Sequence, residues 1–313
     1  MNTILPQLFE INDSINWKTY LDTEGYVVLK NILQPEEIEY ALKLFKKDIN
    51  KVSPKLDFDN NNTFVKRNVP VMYSKGVCVY NGLCQSDFMW NLRTNKNIKN
   101  IYERLFDSKD LVVSLDGFSL FLSNKQKSKP WLHIDQNPKN ELYSIQGSYN
   151  FFKVDSDDAG FVVIPKSHIN SNIYIDKYIN INNNDDWITF DYENNNFKEL
   201  YDSCVKLMIP NNSFILWNSK TIHANEGFNK PYNELNRLTA YITFLETKYR
   251  NETILEERIK AYINGEGTSH WCNKCELKKY PKWFMDHYKQ YEFNDIKPRI
   301  NNDNIPDDRL ELL

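Results

Sequence analysis

The sequence predicts a mainly β, α+β fold, a jelly-roll-like barrel buttressed by helices at its N-terminal and C-terminal ends. Three observations carry that expectation. Short segments rich in Val, Ile, Phe and Tyr recur between turn residues from 111 to 244. Helical periodicity concentrates on the flanks, and one of the short segments alternates polar with apolar side chains. The 313 residues, 41% hydrophobic and 14% aromatic, can bury a substantial core, and no long flexible linker interrupts them. A single domain over 1–313 is therefore expected. Its parts are a helical N-terminal support over 1–110, a jelly-roll core over 111–250 with an insertion at about 170–205, and a C-terminal helical extension over 251–313.

Taken in order, 15–51 reads as helix, strand, helix. Trp17, Tyr20 and Leu21 share one turn-spaced face, and Gly25 breaks the helix before the β-rich run 26–29. Leu33-Gln34-Pro35-Glu36-Glu37 starts the second helix, with proline in the first turn and acids at the positive helix end. Ile38, Ala41, Leu42, Leu44 and Phe45 form its core stripe. The polar stretch 55–68, with Asn60-Asn61-Asn62, is an excursion over the surface, and a helix follows over about 88–106.

Strands are expected at 111–115, 118–123, 142–153, 160–164, 206–209, 213–217 and 238–244. In 143–151, Ser144, Gln146, Ser148 and Asn150 alternate with Tyr143, Ile145, Tyr149 and Phe151. That strand has one wet face and one apolar face, and a wet inner face suits a barrel that holds a polar ligand. The Asn-rich stretch 170–196, with Tyr174, Tyr178, Trp187 and Tyr192, reads as an insertion containing some helix. A helix over 253–264 precedes an irregular tail.

Composition excludes some function classes. The net charge of −3 with 26% charged residues and no basic stripe gives nucleic acid no support as a partner. Five scattered cysteines, an odd number in a long chain, are no secreted disulfide framework. The N-terminus lacks a basic region followed by an apolar one, and no apolar stretch is long enough for a membrane span. A cytoplasmic protein with reduced thiols, a small-molecule substrate and no membrane partner is expected.

The sharpest signal is Trp131-Leu132-His133-Ile134-Asp135. In an extended segment residues i and i+2 share a face, so the His133 imidazole and the Asp135 carboxylate converge. A second imidazole would complete a 2-His-1-carboxylate triad, which binds iron and leaves open positions for a co-substrate and oxygen. Of the five histidines, His168, His223, His270 and His287 are the other candidates. His223 is favoured, because it follows the expected strand 213–217 and precedes a strand carrying Arg237. The planar guanidinium of Arg237 suits the far carboxylate of a dicarboxylic co-substrate.

Four segments resemble the phytanoyl-CoA dioxygenase family of iron and 2-oxoglutarate enzymes. Asp22-Thr-Glu-Gly-Tyr-Val-Val-Leu29 with Leu33-Gln-Pro-Glu-Glu-Ile38 is similar to its opening strand and helix. Trp131-Leu-His-Ile-Asp-Gln136 resembles the proximal metal motif, and Asp158-Ala-Gly-Phe-Val-Val-Ile-Pro-Lys-Ser-His168 a family turn in which Lys166 replaces the usual glycine. Phe214-Ile-Leu-Trp-Asn-Ser-Lys-Thr-Ile-His223, with Arg237 beyond, resembles the distal metal strand and its co-substrate arginine.

The resemblance implies a double-stranded β-helix of the jelly-roll, cupin-like kind and a dioxygenase that uses Fe(II), 2-oxoglutarate and O2. It implies His133, Asp135 and His223 on the metal, Arg237 on the far carboxylate and Asn225 near that carboxylate. Gln146, on the wet strand face, is a further candidate for the co-substrate pocket. Because Asp135 is present, hydroxylation of a small organic molecule, with release of succinate and CO2, is expected rather than halogenation. Two alternatives stand beside it: a 2-oxoglutarate oxygenase acting on a protein side chain, and a non-catalytic metal-binding jelly-roll protein. His168 is expected to bond backbone, Trp217 to sit in the core, and His270-Trp-Cys272-Asn-Lys-Cys275 to be a weak half-site for zinc.

Overall fold

The computed structural model describes residues 2–65, 67–72, 76–122, 130–169, 171, 185–227, 234–280 and 304–313. The first strands are β1 (Asn2–Ile4), β2 (Leu8–Phe9), β3 (Tyr26–Lys30), β4 (Val77–Cys78) and β5 (Leu111–Val113). Then come β6 (Phe118–Leu122), β7 (His133–Ile134), β8 (Ile145–Asn150), β9 (Gly160–Val163) and β10 (Ile188–Thr189). The last are β11 (Val205–Leu207), β12 (Ser213–Asn218), β13 (His223–Glu226), β14 (Leu235–Tyr241) and β15 (Phe244–Glu246). The helices are α1 (Ser14–Glu24), α2 (Pro35–Val52), α3 (Asp87–Arg93), α4 (Lys96–Phe106), α5 (Lys198–Ser203), α6 (Glu252–Ile263) and α7 (Asp307–Leu310). Mixed α and β structure with large sheets is thus what the sequence predicted and what forms.

The chain builds two units, each from two separate segments. The first comprises Met1–Ile32 and Asn124–Tyr232, the second Leu33–Ser123 and Asn233–Leu313. In the first unit, six strands form a sheet in the order β1-β11-β9-β13-β7-β10. Alternation along these strands sorts the side chains. Leu132, Ile134, Val162, Ile164, Ile222 and Ala224 join one buried apolar cluster. Their neighbours His133, Asp135, His223 and Asn225 take the other face. A second group of strands in this unit pairs in the order β2-β3-β12-β8, with Leu216 of β12 between Val27 of β3 and Gly147 of β8. On β8 and just before it, the expected wet face of Ser144, Gln146, Ser148 and Asn150 is buried throughout.

Gly25 joins α1 to β3 and explains why the chain turns there. Its φ of +80° lies in the left-handed region, and its N–H caps α1 by donating to Leu21 O at 2.8 Å. A Cβ at this position would meet His168 Nδ1 at 2.4 Å and Thr221 Oγ1 at 2.6 Å. His168 crosses from the end of β9 to bond Asp22 O at 2.9 Å, so it ties two distant segments through backbone rather than capping its own strand. Lys166 adopts φ 66°, in the left-handed region that favours glycine, the residue that the resemblance to the family turn leads one to expect there. Its N–H donates to Glu24 O at 2.8 Å, and its ammonium sits 3.3 Å from the Glu24 carboxylate.

In the second unit β6 pairs with β14 and β4, and β15 with β5. The α2 stripe buries Ala41, Leu44 and Phe45, while Glu37 accepts from Gln34 N at 2.8 Å to complete the N-terminal turn. The single helix expected over 88–106 is two. Thr94 closes α3, and Asn95 restarts the chain as α4 by accepting from Asn97 N and Ile98 N. The strand expected at 238–244 is likewise split, into β14 and β15. Of the insertion, 170 and 172–184, with Tyr174 and Tyr178, lie outside the described residues, as does His287. Its described remainder holds β10, a short turn of 3-10 helix and the approach to α5. No helix among the described residues is long and apolar enough to cross a membrane.

Gly25→Ala should destabilise the protein by about 2–4 kcal/mol, since backbone strain and two collisions coincide. Urea denaturation measures it, and an unchanged midpoint would mean that His168 and Thr221 move aside freely.

Candidate metal centre

The two imidazoles meet because of strand register. β13 and β7 pair antiparallel with His223 directly opposite His133, and the rings lie 4.3 Å apart between centroids. Asp135, two residues beyond His133, brings its carboxylate to the same point. Its Oδ2 lies 3.6 Å from His133 Nε2 and 3.2 Å from His223 Nε2. One donor atom from each residue falls within 4.8 Å of the others, and this is the one such group of His, Cys, Asp or Glu among the described residues. The histidines are buried and the Asp135 side chain is 16% exposed.

Backbone fixes both rings. His133 Nδ1 lies 2.9 Å from Trp131 O, and His223 Nδ1 lies 2.9 Å from Thr221 O. A carbonyl can only accept, so each Nδ1 donates its proton there, which leaves each Nε2 to serve a metal placed between the rings and the Asp135 carboxylate. Burial, reinforced by the neighbouring His133 and opposed by Asp135, lowers the pKa of His223 below the ordinary imidazole value. The neutral, ligating form therefore persists to lower pH than in an exposed histidine. Phe161 and Trp217 pack on the His223 ring, and Trp131 lies flat on His133. Trp217, expected in the core, is buried there with this additional contact.

Gln146, predicted at a co-substrate pocket, donates from Nε2 to Asp135 Oδ2 at 2.8 Å. It reaches from β8 across to the Asp135 carboxylate and so sets that carboxylate's orientation. Asn225 shares the His223 face of β13 and lies opposite Phe161 of β9. Glu226 turns the other way and pairs with buried Lys206 at 3.1 Å, and the Lys206 ammonium also binds Ser156 O and Asp158 O. That pair anchors β13 to β11 and was not read from the sequence, where a lysine and a glutamate twenty residues apart carry no signal.

Arg237 belongs to the second unit, on β14. It is 3% exposed, its Nε donates to Thr239 Oγ1 at 3.0 Å, and its guanidinium lies 5.7 Å from the Phe121 ring centre. Burial lowers its pKa, with Tyr241 opposing. Its Nη1 is buried and has no hydrogen-bond partner among the described residues. A buried guanidinium nitrogen without an acceptor is costly, and an anionic ligand would relieve that cost. His270, Cys272 and Cys275 do not gather as a metal group. Cys272 is a buried free thiol that bonds Thr243 O, and Cys275 is a half-buried free thiol.

No protein-family model matches the chain. It is 22% identical over 222 residues to the "Ava biosynthesis cluster protein O" of Aspergillus versicolor, spanning 66% of this chain and 71% of that protein. It is 21% identical over 308 residues to a Dictyostelium discoideum protein named "Putative phytanoyl-CoA dioxygenase", spanning 84% of this chain and 82% of the relative. Among solved structures, EctD from S. alaskensis, solved with 2-oxoglutarate and 5-hydroxyectoine, superposes with a TM-score of 0.52. The identity is 16%, over 88% of this chain and 92% of EctD. The epimerase SnoN, solved with Fe3+, alpha ketoglutarate and nogalamycin RO, gives a TM-score of 0.50 at 15% identity, over 75% of this chain and 84% of SnoN. The fold is shared with these proteins.

Asp135→Ala and His223→Ala should each abolish tight Mn(II) binding in calorimetry while circular dichroism stays native. Gln146→Ala should weaken Mn(II) by about 10–100-fold, the usual effect of removing a ligand's hydrogen-bonding support. Retained affinity in Asp135→Ala would place the metal elsewhere.

Proposed function

We propose that this chain is an Fe(II)- and 2-oxoglutarate-dependent oxygenase of the phytanoyl-CoA dioxygenase type, acting on a small organic molecule. The observation that carries the reading is the convergence of His133 Nε2, His223 Nε2 and Asp135 Oδ2 with both Nδ1 atoms tied to backbone. Two neutral nitrogens and one carboxylate suit iron(II) and leave open positions. When bound, iron(II) with 2-oxoglutarate and oxygen supplies an oxidation coupled to decarboxylation, giving succinate and CO2.

The residues of the chain do the rest. His133, Asp135 and His223 hold the metal, Gln146 orients Asp135, and the apolar packing of Phe161 and Trp217 keeps water off the His223 side. Arg237 is the proposed partner of the far carboxylate of 2-oxoglutarate, supported by its buried Nη1 without an acceptor. A metal held for structure alone has no use for such a group. Asn225, on the His223 face, is proposed beside the co-substrate.

The finer fold reading, a double-stranded β-helix, is supported by two sheets in the first unit whose side chains meet at the site. Phe161 of β9 lies 5.0 Å from Trp217 of β12, and Gln146 of β8 bonds Asp135 beyond β7. The single-domain reading is supported by chain order, since each unit is assembled from two non-adjacent segments.

Succinate release from 2-oxoglutarate by anaerobically iron-loaded protein, on admission of oxygen, tests the class. Wild type should turn over and Asp135→Ala should not; equal rates in both would refute the metal assignment. Arg237→Ala should raise the 2-oxoglutarate KM by about 30–1,000-fold, as loss of a buried bidentate ion pair costs about 2–4 kcal/mol. Its Mn(II) affinity should stay unchanged, and an unaltered KM would assign the far carboxylate to another residue.

A further inference from the structure

Among the described residues, four aromatic side chains surround the two histidines, and they differ in how much water they meet. Phe161 and Trp217, on the His223 side, are each 3% exposed. Trp131, parallel to His133 within 2° at 4.2 Å, is half-buried. Trp187 stands edge-on to His133, with centroids 6.4 Å apart and planes at 61°, and is 54% exposed. Exposure therefore rises across the site toward β10, the last strand of the six-stranded sheet. Thr189 of β10 lies directly across from His133 and is exposed. Trp187, two residues before Thr189, falls on the same face.

The backbone beneath this indole is held on both sides. Asn137 N and Asn140 Nδ2 each donate to Asp186 Oδ1 at 3.2 Å, and Asn137 Nδ2 donates to Asp185 O at 3.3 Å. Ile188 is buried and pairs with Ile134 of β7. A pinned backbone thus presents a large flat apolar side chain to water, one ring away from a metal-binding histidine. An exposed aromatic so held marks a contact surface better than a loose one, because little conformational freedom is lost when a ligand covers it.

We propose that Trp187 determines substrate specificity by stacking on a planar, unsaturated ring of the organic substrate and so setting that substrate beside the metal centre. This rests on the oxygenase reading and adds the substrate class to it. An indole prefers flat partners, since offset stacking brings a whole face into contact, whereas a puckered saturated ring touches at a few hydrogens. Trp131 already has its face against His133, so Trp187 is the aromatic of the four that keeps most of its surface for a ligand.

The test is 19F NMR of full-length protein labelled with 5-fluorotryptophan. The chain has seven tryptophans, and the Trp187 signal is identified as the one missing from Trp187→Phe. Mn(II) should broaden the Trp131, Trp187 and Trp217 signals, all three of which stand against the two histidines; if it broadens no tryptophan, the metal reading fails, and the proposal with it. With diamagnetic Zn(II) and 2-oxoglutarate bound, the planar probes 1-naphthol, 2-naphthol and 9-phenanthrol should shift the Trp187 signal saturably, and their fully saturated counterparts should bind about tenfold less tightly. Trp187→Ala should lose about tenfold in naphthol affinity with Mn(II) affinity intact, and Trp187→Phe should recover most of it. Equal binding of planar and saturated probes, or no planar probe moving Trp187 while Mn(II) does, would overturn the proposal and leave the oxygenase reading standing.

Discussion

The site depends on one register: His223 directly opposite His133 across β13 and β7. A slip of either strand by one residue would turn its imidazole into the apolar cluster and bring Ile134 or Ala224 to the metal face, because side chains alternate with period two. The register is held from several sides. β9 pairs along the whole of β13, the Lys206–Glu226 pair fastens the far side of β13, and the cluster around Ile134, Val162 and Ala224 gains only when its members face inward. Hydrophobic burial therefore places polar ligands as surely as it places leucines.

The same logic operates around Gly25. The turn from α1 to β3 brings its carbonyl to Thr221 Oγ1 at 2.9 Å and Asn218 N at 3.0 Å. Thr221 O in turn receives His223 Nδ1. A helix cap near the N-terminus is thus two hydrogen bonds from the His223 imidazole of the candidate site. The glycine is required by close approach as well as by φ, and the histidine of the turn at 160–168 supports this junction and takes no part in the metal group.

Much of the secondary structure was legible. The helix–strand–helix opening, the long strands at β8, β12 and β14, and the helix after residue 251 all formed within a few residues of expectation, because each is long enough to display its period. The elements missed were short. β1, β2, β4, β10 and β13 run two to four residues, too few for periodicity to register, and one of them carries His223. The break at Asn95 was legible in principle, since asparagine is a strong helix cap, but continuous apolar spacing on either side hid it.

By itself the sequence determined the donor chemistry: His133 and Asp135 at i and i+2, an arginine downstream, and a strand with a wet face. These follow from local geometry, which needs no knowledge of neighbours. Only the tertiary structure set His223, already favoured in the sequence, directly opposite His133, and decided that Gln146 grips Asp135 and that an indole from the Asn-rich stretch stands exposed beside the centre. Each of those is a contact between segments distant in the chain. Such contacts are set by strand register and core packing, which depend on the whole assembly and leave no mark on the residues either side of the contact.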